Sequence, residues 1–239
     1  MSTSPLPEAS AALPCADAQD WRSQFAHPRG LLGRFAGSLM ARKNAAMNAA
    51  CVDWLEVAPG DRLLEIGFGH GRTIAWLAER AARGLVAGVD PSDTMLRQAS
   101  RRNRRAIAAG RVRLERGEAA RLPVADASFD KVLAANCVQF WRDLPAALAE
   151  VRRVLAPGGT LLIGIRVHDP RRGRFASPGF REEQIEAVRR AVERAGFADV
   201  RAPRRDVGRE VVGVLGRRQR DCGSGGSVGR APFGSRRSQ

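Results

Sequence analysis

Between Arg62 and Ile165, short apolar runs alternate with stretches of helical periodicity. That alternation limits the possible folds more than any other feature of the chain. The runs are Arg62–Ile66, Leu85–Val89, the alternating pair Val112 and Leu114, Phe129–Ala135 and Thr160–Ile165. Between them, Ile74, Leu77, Ala78 and Ala81 share one helical face, a charged stretch from Ser92 to about Ala109 forms another helix, and Pro145 opens a third with Leu148, Val151 and Leu155 in phase. Pro157-Gly158-Gly159 turns the chain into the fifth run. Beyond it a helix carries Ile185, Val188, Val192 and Ala195, and strands follow near Val200 and at Val211–Leu215. Strands separated by helices of this length are joined by crossovers, which build a mostly parallel sheet with helices on both faces. The predicted class is therefore α/β and doubly wound. In such sheets ligands bind beyond the carboxyl ends of the strands, where strand order reverses.

The flanks read differently. Residues 1–20 are rich in Ala, Ser and Pro, and residues 217–239 in Arg, Gly and Ser, so both are expected to be disordered. Residues 21–60 are expected to form an N-terminal helical segment, with a helix from about Leu32 to Leu55 presenting Met40, Met47, Cys51 and Trp54 on one stripe. Residues 61–216 are left as the main domain. With 239 residues, 44% of them hydrophobic, the chain can bury a sizeable core. No apolar run reaches the roughly 18–20 residues that a membrane span requires. The first twenty residues have neither a basic start nor an apolar stretch, so no secretory signal is visible. Cys15, Cys51, Cys137 and Cys222 are scattered, which argues against a disulfide framework or a cysteine metal site, and the expected compartment is the cytoplasm.

Charge is the unusual quantity. The net formal charge is +15, and Lys43 and Lys131 are the lysines among 40 basic residues. The tail accounts for +5 and the first twenty residues for −3, which leaves +13 on residues 21–216. Arg101, Arg102, Arg104 and Arg105 cluster, as do Arg171, Arg172 and Arg174, and Arg204 with Arg205. Nucleic acid or anionic lipid are compatible partners. With no tyrosine and 5% aromatic residues, however, platforms for stacking single-stranded bases are scarce, and a solvated arginine surface is the favoured reading.

The segment richest in chemistry is Leu63-Leu64-Glu65-Ile66-Gly67-Phe68-Gly69-His70-Gly71-Arg72-Thr73. A strand running into closely spaced glycines lets a ligand lie against the backbone where a Cβ would intrude. Asp90 ends the next strand, 21 residues after Gly69, and a carboxylate there can accept both hydroxyls of a ribose. Loop and acid together imply an adenosine-type cofactor. The dinucleotide fingerprint needs a third glycine three residues after the second, and that position is Arg72. A nicotinamide oxidoreductase is disfavoured on that ground. Glu65, two residues before the first glycine, would repel a pyrophosphate but suits a ligand bearing an ammonium and a sulfonium.

This Glu-x-Gly-x-Gly-x-Gly pattern resembles the first motif of the class I S-adenosylmethionine-dependent methyltransferases, closest to the type 11 group. Gly88-Val89-Asp90-Pro91-Ser92 resembles the second motif, and Gly117-Glu118-Ala119 with Leu122-Pro123 the third. Phe129-Asp130-Lys131-Val132 resembles the fourth strand, and Leu155-Ala156-Pro157-Gly158-Gly159 the turn before the fifth. The resemblance covers roughly residues 30 to 216. It implies a Rossmann-like, mostly parallel seven-stranded sheet whose last strand, assigned to Glu210–Leu215, is antiparallel. It implies S-adenosylmethionine as cofactor, with Asp90 on the ribose, Glu118 on the adenine, and Gly67, Phe68, Gly69 and Gly71 with Glu65 around the methionine portion. Pro91, Ala119 and Asn136 complete the cofactor contacts it implies. In this family N-terminal additions commonly contact the substrate, so residues 21–60, with Asn44, Met47 and Asn48, are expected to cap the site.

Methyl transfer is a direct displacement and needs mainly positioning and a dry site, so the lack of an evident triad is no objection. Asn136-Cys137-Val138-Gln139-Phe140-Trp141 follows the fourth strand, where the acceptor would lie, and departs from the Asn/Asp-Pro-Pro-aromatic motif of base-amino methyltransferases. His168, after the fifth strand, is the candidate general base, and Asn136 the candidate for orienting the substrate. No metal is expected. The resulting expectation is transfer of a methyl group to a small molecule. The alternatives are an RNA or phospholipid head-group methyltransferase, or a cofactor-binding protein without turnover.

Overall fold

The computed structural model describes residues 44–170 and 179–220. Residues 44–54 are helical and are termed α1. Then follow β1 (Arg62–Ile66), α2 (Arg72–Arg80), β2 (Leu85–Asp90), α3 (Asp93–Arg102), α4 (Arg104–Ala108) and β3 (Val112–Arg116). The chain continues through β4 (Phe129–Ala135), α5 (Leu144–Val154), β5 (Leu155–Arg166), α6 (Glu182–Arg194), β6 (Phe197–Arg201), β7 (Arg204–Asp206) and β8 (Glu210–Arg218). The expected disorder of residues 1–20 and most of the tail, the first part of the N-terminal helix, and the cluster Arg171, Arg172 and Arg174 lie outside the described residues.

The sheet order is β3-β2-β1-β4-β5-β8-β6, with β7 paired to β8. β1 to β5 pair in parallel, and β8 is antiparallel to both β5 and β6. The Rossmann-like sheet with an antiparallel last strand therefore stands as the sequence implied. β7 adds a short eighth strand, three exposed residues that fold back on β8. The chain steps outward from β1 through β2 to β3 and then returns to β4 on the other side of β1. Strand order thus reverses between β1 and β4, which is where a ligand crevice belongs.

Alternation along β1 divides the interior in two. Leu63 joins a cluster with Met47, Cys51, Ile74, Leu77 and Met95, which packs α1, α2 and α3 on one face. Leu64 and Ile66 join Leu148, Val151, Ile185 and Val188 from α5 and α6 on the other. α1 lies flat on the sheet because two strand positions lack a side chain. A Cβ on Gly164 of β5 would collide with Cys51 Sγ, and one on Gly213 of β8 would come within 2.6 Å of the Trp54 ring.

Three local features differ from the sequence reading. The helix expected from Ser92 to Ala109 breaks at Asn103, whose buried amide donates to Gly71 O (3.0 Å) and Ala99 O (2.9 Å). β5 begins at Leu155 instead of Thr160, because Leu155 pairs with Phe129 and the register slips before Thr160 meets Lys131. α5 begins at Leu144, capped by Asp143, whose Oδ1 accepts from Ala146 N at 2.9 Å, with Pro145 in the first turn.

Candidate functional site

β1 delivers the chain into three glycines that all adopt left-handed φ: 72° at Gly67, 53° at Gly69 and 77° at Gly71. Their surroundings assign them different tasks. A Cβ on Gly67 would lie 2.7 Å from Cys137 Cβ, and one on Gly71 would lie 2.6 Å from Ala99 Cβ and 2.7 Å from Asn103 Nδ2. These two let the loop seat against the end of β4 and against α3. Gly69 has nothing within 4 Å of its would-be Cβ, so the open side of the loop is there.

The loop is tied to the end of β2. Gly67 N donates to Val89 O (2.7 Å) and Gly69 N to Asp90 Oδ2 (2.9 Å). The other oxygen of Asp90 accepts from Ser92 N at 2.9 Å, and the carboxylate residue is 6% exposed. The N-cap of α3 is Ser92, whose Oγ accepts from Met95 N, so Asp90 belongs to the loop. Gly117 N donates to Asp90 O (3.2 Å), which stands exposed Glu118 just beyond the same strand end. Ala119 packs against the core, and Pro91 is exposed.

Glu65 is 2% exposed on the α1–α2 side of β1. Burial pushes its carboxyl well above the usual range, against a hydroxyl hydrogen bond from Thr73, and the charge of Asp90 adds to the rise. Thr73 Oγ1 in turn accepts from Asn48 Nδ2 at 2.8 Å. Glu65 Oε2, Asn48 Oδ1 and His70 Nε2 are buried and have no hydrogen-bond partner. Burial, with Arg102 and Arg72 nearby, lowers the His70 pKa to about 4, so its imidazole is neutral at pH 7. Its carbonyl accepts from Arg102 Nε at 3.1 Å.

On the far side of the crevice, Cys137 closes the end of β4 and donates its thiol to Ile66 O (3.1 Å). Burial, with Glu65 and Asp90 adding, raises the Cys137 pKa beyond any thiolate role near neutrality. Asn136 holds a positive φ of 54°, unusual for a side-chain-bearing residue, while its N donates to Gly164 O and its O accepts from Gln139 Nε2. Its backbone satisfies the turn and its half-buried side chain is left for other contacts. Trp141 is buried in the core and Phe140 packs against it.

The structure thus brings Glu65, Gly67, Gly69, Gly71, Asp90 and Asn136 to one crevice. Phe68 contributes only backbone there, because its ring is buried beneath Gly88 of β2. His168 is partly exposed just beyond the carboxyl end of β5, with its N donating to Phe180 O at 2.8 Å. Sequence reasoning missed Thr73 and Asn103 as parts of the site. Among the described residues, no cluster of three or more His, Cys, Asp or Glu side chains could hold a metal, and no helix is long and apolar enough to cross a membrane.

Two buried acceptors without donors beside a left-handed glycine loop suit a ligand that brings an ammonium group, and a pyrophosphate would meet Glu65 instead. The family model described as "Methyltransferase domain" matches residues 64–163. The uncharacterized methyltransferase YdaC of Bacillus subtilis is 28% identical over 165 residues, covering 69% of this chain and 87% of its own. The ubiquinone/menaquinone biosynthesis C-methyltransferase UbiE of Paracoccus denitrificans is 35% identical over 114 residues, or 48% of this chain and 46% of that one. A solved S-adenosylmethionine-dependent methyltransferase from Aquifex aeolicus superposes with a TM-score of 0.61 at 19% identity, covering 73% of this chain and 92% of that one. A reversed-order sheet, a glycine loop preceded by a buried acid, and matches in family, sequence and fold agree, and residues 64–163 are a methyltransferase domain of the class I S-adenosylmethionine-dependent type.

Proposed function

We propose that this enzyme methylates a small molecule that enters beyond the carboxyl ends of β4 and β5. The observation that supports this is where one cluster of unneutralised arginines lies. Arg101, Arg104 and Arg105 are exposed on α3 and α4, over the β3 edge, and no ion pair engages them among the described residues. β2 and β1 separate that edge from β4. Near the opposite edge, Arg189, Arg190 and Arg204 are already paired with Glu186, Glu193, Glu182 and Glu210. A polyanion held by that cluster would dock away from the acceptor crevice, whereas a small molecule needs no such surface.

When bound, S-adenosylmethionine supplies a methyl group made electrophilic by its positive sulfur. The Asp90 side chain takes the ribose hydroxyls while its backbone partners keep the loop in place. Glu118 serves the adenine amino group, with Pro91 and Ala119 beside it. The loop from Gly67 to Gly71, with Glu65, receives the methionine portion. Asn136 orients the acceptor, and His168 removes a proton if the acceptor carries one. The enzyme's contribution is chiefly alignment and exclusion of water.

The test is incubation with methyl-labelled S-adenosylmethionine and separate small-metabolite, RNA and lipid fractions of a bacterial extract. Label in the small-metabolite fraction supports the proposal. Label that is confined to RNA or lipid refutes it.

A further inference from the structure

The loop between β3 and β4 takes its hydrogen bonds from side chains of α5. Leu122 N donates to Glu150 Oε2 at 2.7 Å, and Leu122 O accepts from Arg153 Nη2 at 3.0 Å. Arg153 Nη1 donates to Val124 O (2.8 Å) and to Asp126 Oδ1 (2.7 Å). The same guanidinium forks onto Glu150, with Nε to Oε1 at 2.7 Å and Nη2 to Oε2 at 2.8 Å. All five of its N–H donors are thereby committed. The Arg153 carbonyl also accepts from Ala127 N at 2.9 Å, and Ala127 holds a φ of 47° that favours glycine. Two residues one helical turn apart thus fix the loop at Leu122, Val124, Asp126 and Ala127. At its other end Gly117 N donates to Asp90 O, and Arg121 N closes a turn onto Glu118 O at 3.1 Å. Glu118 stands between these anchors, so its position depends on both.

On the reading that Glu118 serves the adenine, we propose that Glu150 and Arg153 are positioning residues for cofactor recognition. They hold the loop so that Glu118 meets the adenine amino group, and they thereby set the preference for adenine over a purine that lacks that group. Arg153 has no donor left for a ligand and acts through the loop alone. A lysine could not replace it, because an ammonium on a flexible stem has three donors and no planar fork.

The experiment compares S-adenosylhomocysteine with S-inosylhomocysteine, which carries an oxygen in place of the adenine amino group, by calorimetry. The unaltered protein should favour the adenine ligand by about tenfold or more, because a carboxylate facing that oxygen loses its donor. Arg153→Lys is expected to cut this preference below about threefold, while S-inosylhomocysteine affinity stays within about twofold. Glu150→Gln loosens the clamp from the carboxylate side and should act in the same direction, so the test survives if one variant fails to fold. In a Glu118→Ala background, Arg153→Lys should leave the ratio of affinities unaltered. Equal weakening of both ligands, or no weakening of either, overturns the inference and leaves the cofactor reading intact. An unaltered protein that binds both ligands equally removes Glu118 from the adenine, and the inference with it. Failure of the unaltered protein to bind either ligand overturns the cofactor reading itself.

Discussion

The edge of the sheet at β6 to β8 and its centre at the glycine loop handle polar groups in opposite ways. Near β6 to β8 the charges are matched: Arg204 bridges Glu182 and Glu210, Arg189 bridges Glu186 and Glu193, and Arg205 reaches Asp53 while lying 5.4 Å over the Trp54 ring. Around the glycine loop the reverse holds. Of the four buried side-chain polar atoms without a partner among the described residues, three belong to Asn48, Glu65 and His70. The fourth is Arg218 Nε, on a guanidinium whose Nη1 already donates to three carbonyls. Buried polar groups are normally satisfied, so such a concentration marks where the fold keeps capacity for a ligand.

The largest expected effect separates the glycines of that loop from one another. Gly71→Ala drives a Cβ into Ala99 and Asn103 at a left-handed position, and chemical denaturation should show a loss of about 3 kcal/mol. Gly69→Ala meets only the backbone penalty, about 1 kcal/mol, and should instead appear as weakened cofactor binding in a titration. Equal destabilisation by the two changes would contradict the division of tasks within the loop.

Next comes Asp90→Asn, isosteric but wrong for its partners, because one oxygen facing a backbone N–H becomes an NH2 group. Calorimetry should show S-adenosylmethionine affinity falling by about a hundredfold. A drop of less than threefold would remove Asp90 from the ribose site.

Glu65→Gln sharpens the comparison through pH. The folded carboxyl holds its proton above the usual range, so the folded state binds more protons than the unfolded one as pH rises from about 4.5. Stability is therefore fully present below that point and declines as pH rises through the folded pKa. The Gln variant should lack this decline and, without ligand, melt higher than the unaltered protein at pH 8. It should also bind S-adenosylmethionine more weakly at the same pH. A steeper decline in the variant would show that Glu65 is charged and otherwise satisfied.

The smallest effect belongs to the matched end. Arg205→Ala removes an exposed ion pair with Asp53 and a ring contact, and should cost no more than about 1 kcal/mol in denaturant titration. Cofactor affinity should be unaltered. A change there would couple the two regions and dissolve the contrast.

What could be read from the sequence follows the range of each constraint. The left-handed turns at Gly67, Gly69 and Gly71 and the place of Asp90 at the end of β2 were legible because a glycine loop and a strand-end acid are local demands with fixed spacing. The alternation of apolar runs gave the mostly parallel sheet, since burial on both faces leaves a one-dimensional trace, while the strand order left none. Thr73 and Asn103, and the part played by Asn48, left no such trace. Their contacts span 25 positions from Asn48 to Thr73 and 32 from Asn103 to Gly71, and only helix packing creates them. Phe68 was placed in the site by its neighbours in sequence, yet its ring turns into the core because Gly88 opposite leaves room for it. β7 was invisible for another reason: Arg204, Arg205 and Asp206 are all exposed and carry no apolar pattern.

β8 is an interior strand supplied by Glu210–Arg218, after every other described strand has been made. During synthesis β1 to β4 can assemble first, so the crevice between β1 and β4 can take shape while the far edge of β5 is still open. Until β8 arrives, Leu161, Ile163 and Ile165 sit in an unpaired edge of the kind that templates aggregation, and β6 has no strand to join. A chain interrupted before Glu210 would therefore keep the strands that form the crevice and leave the edge of β5 exposed. The nine-residue strand β8 thus closes the open edge of β5 and gives β6 its place in the sheet.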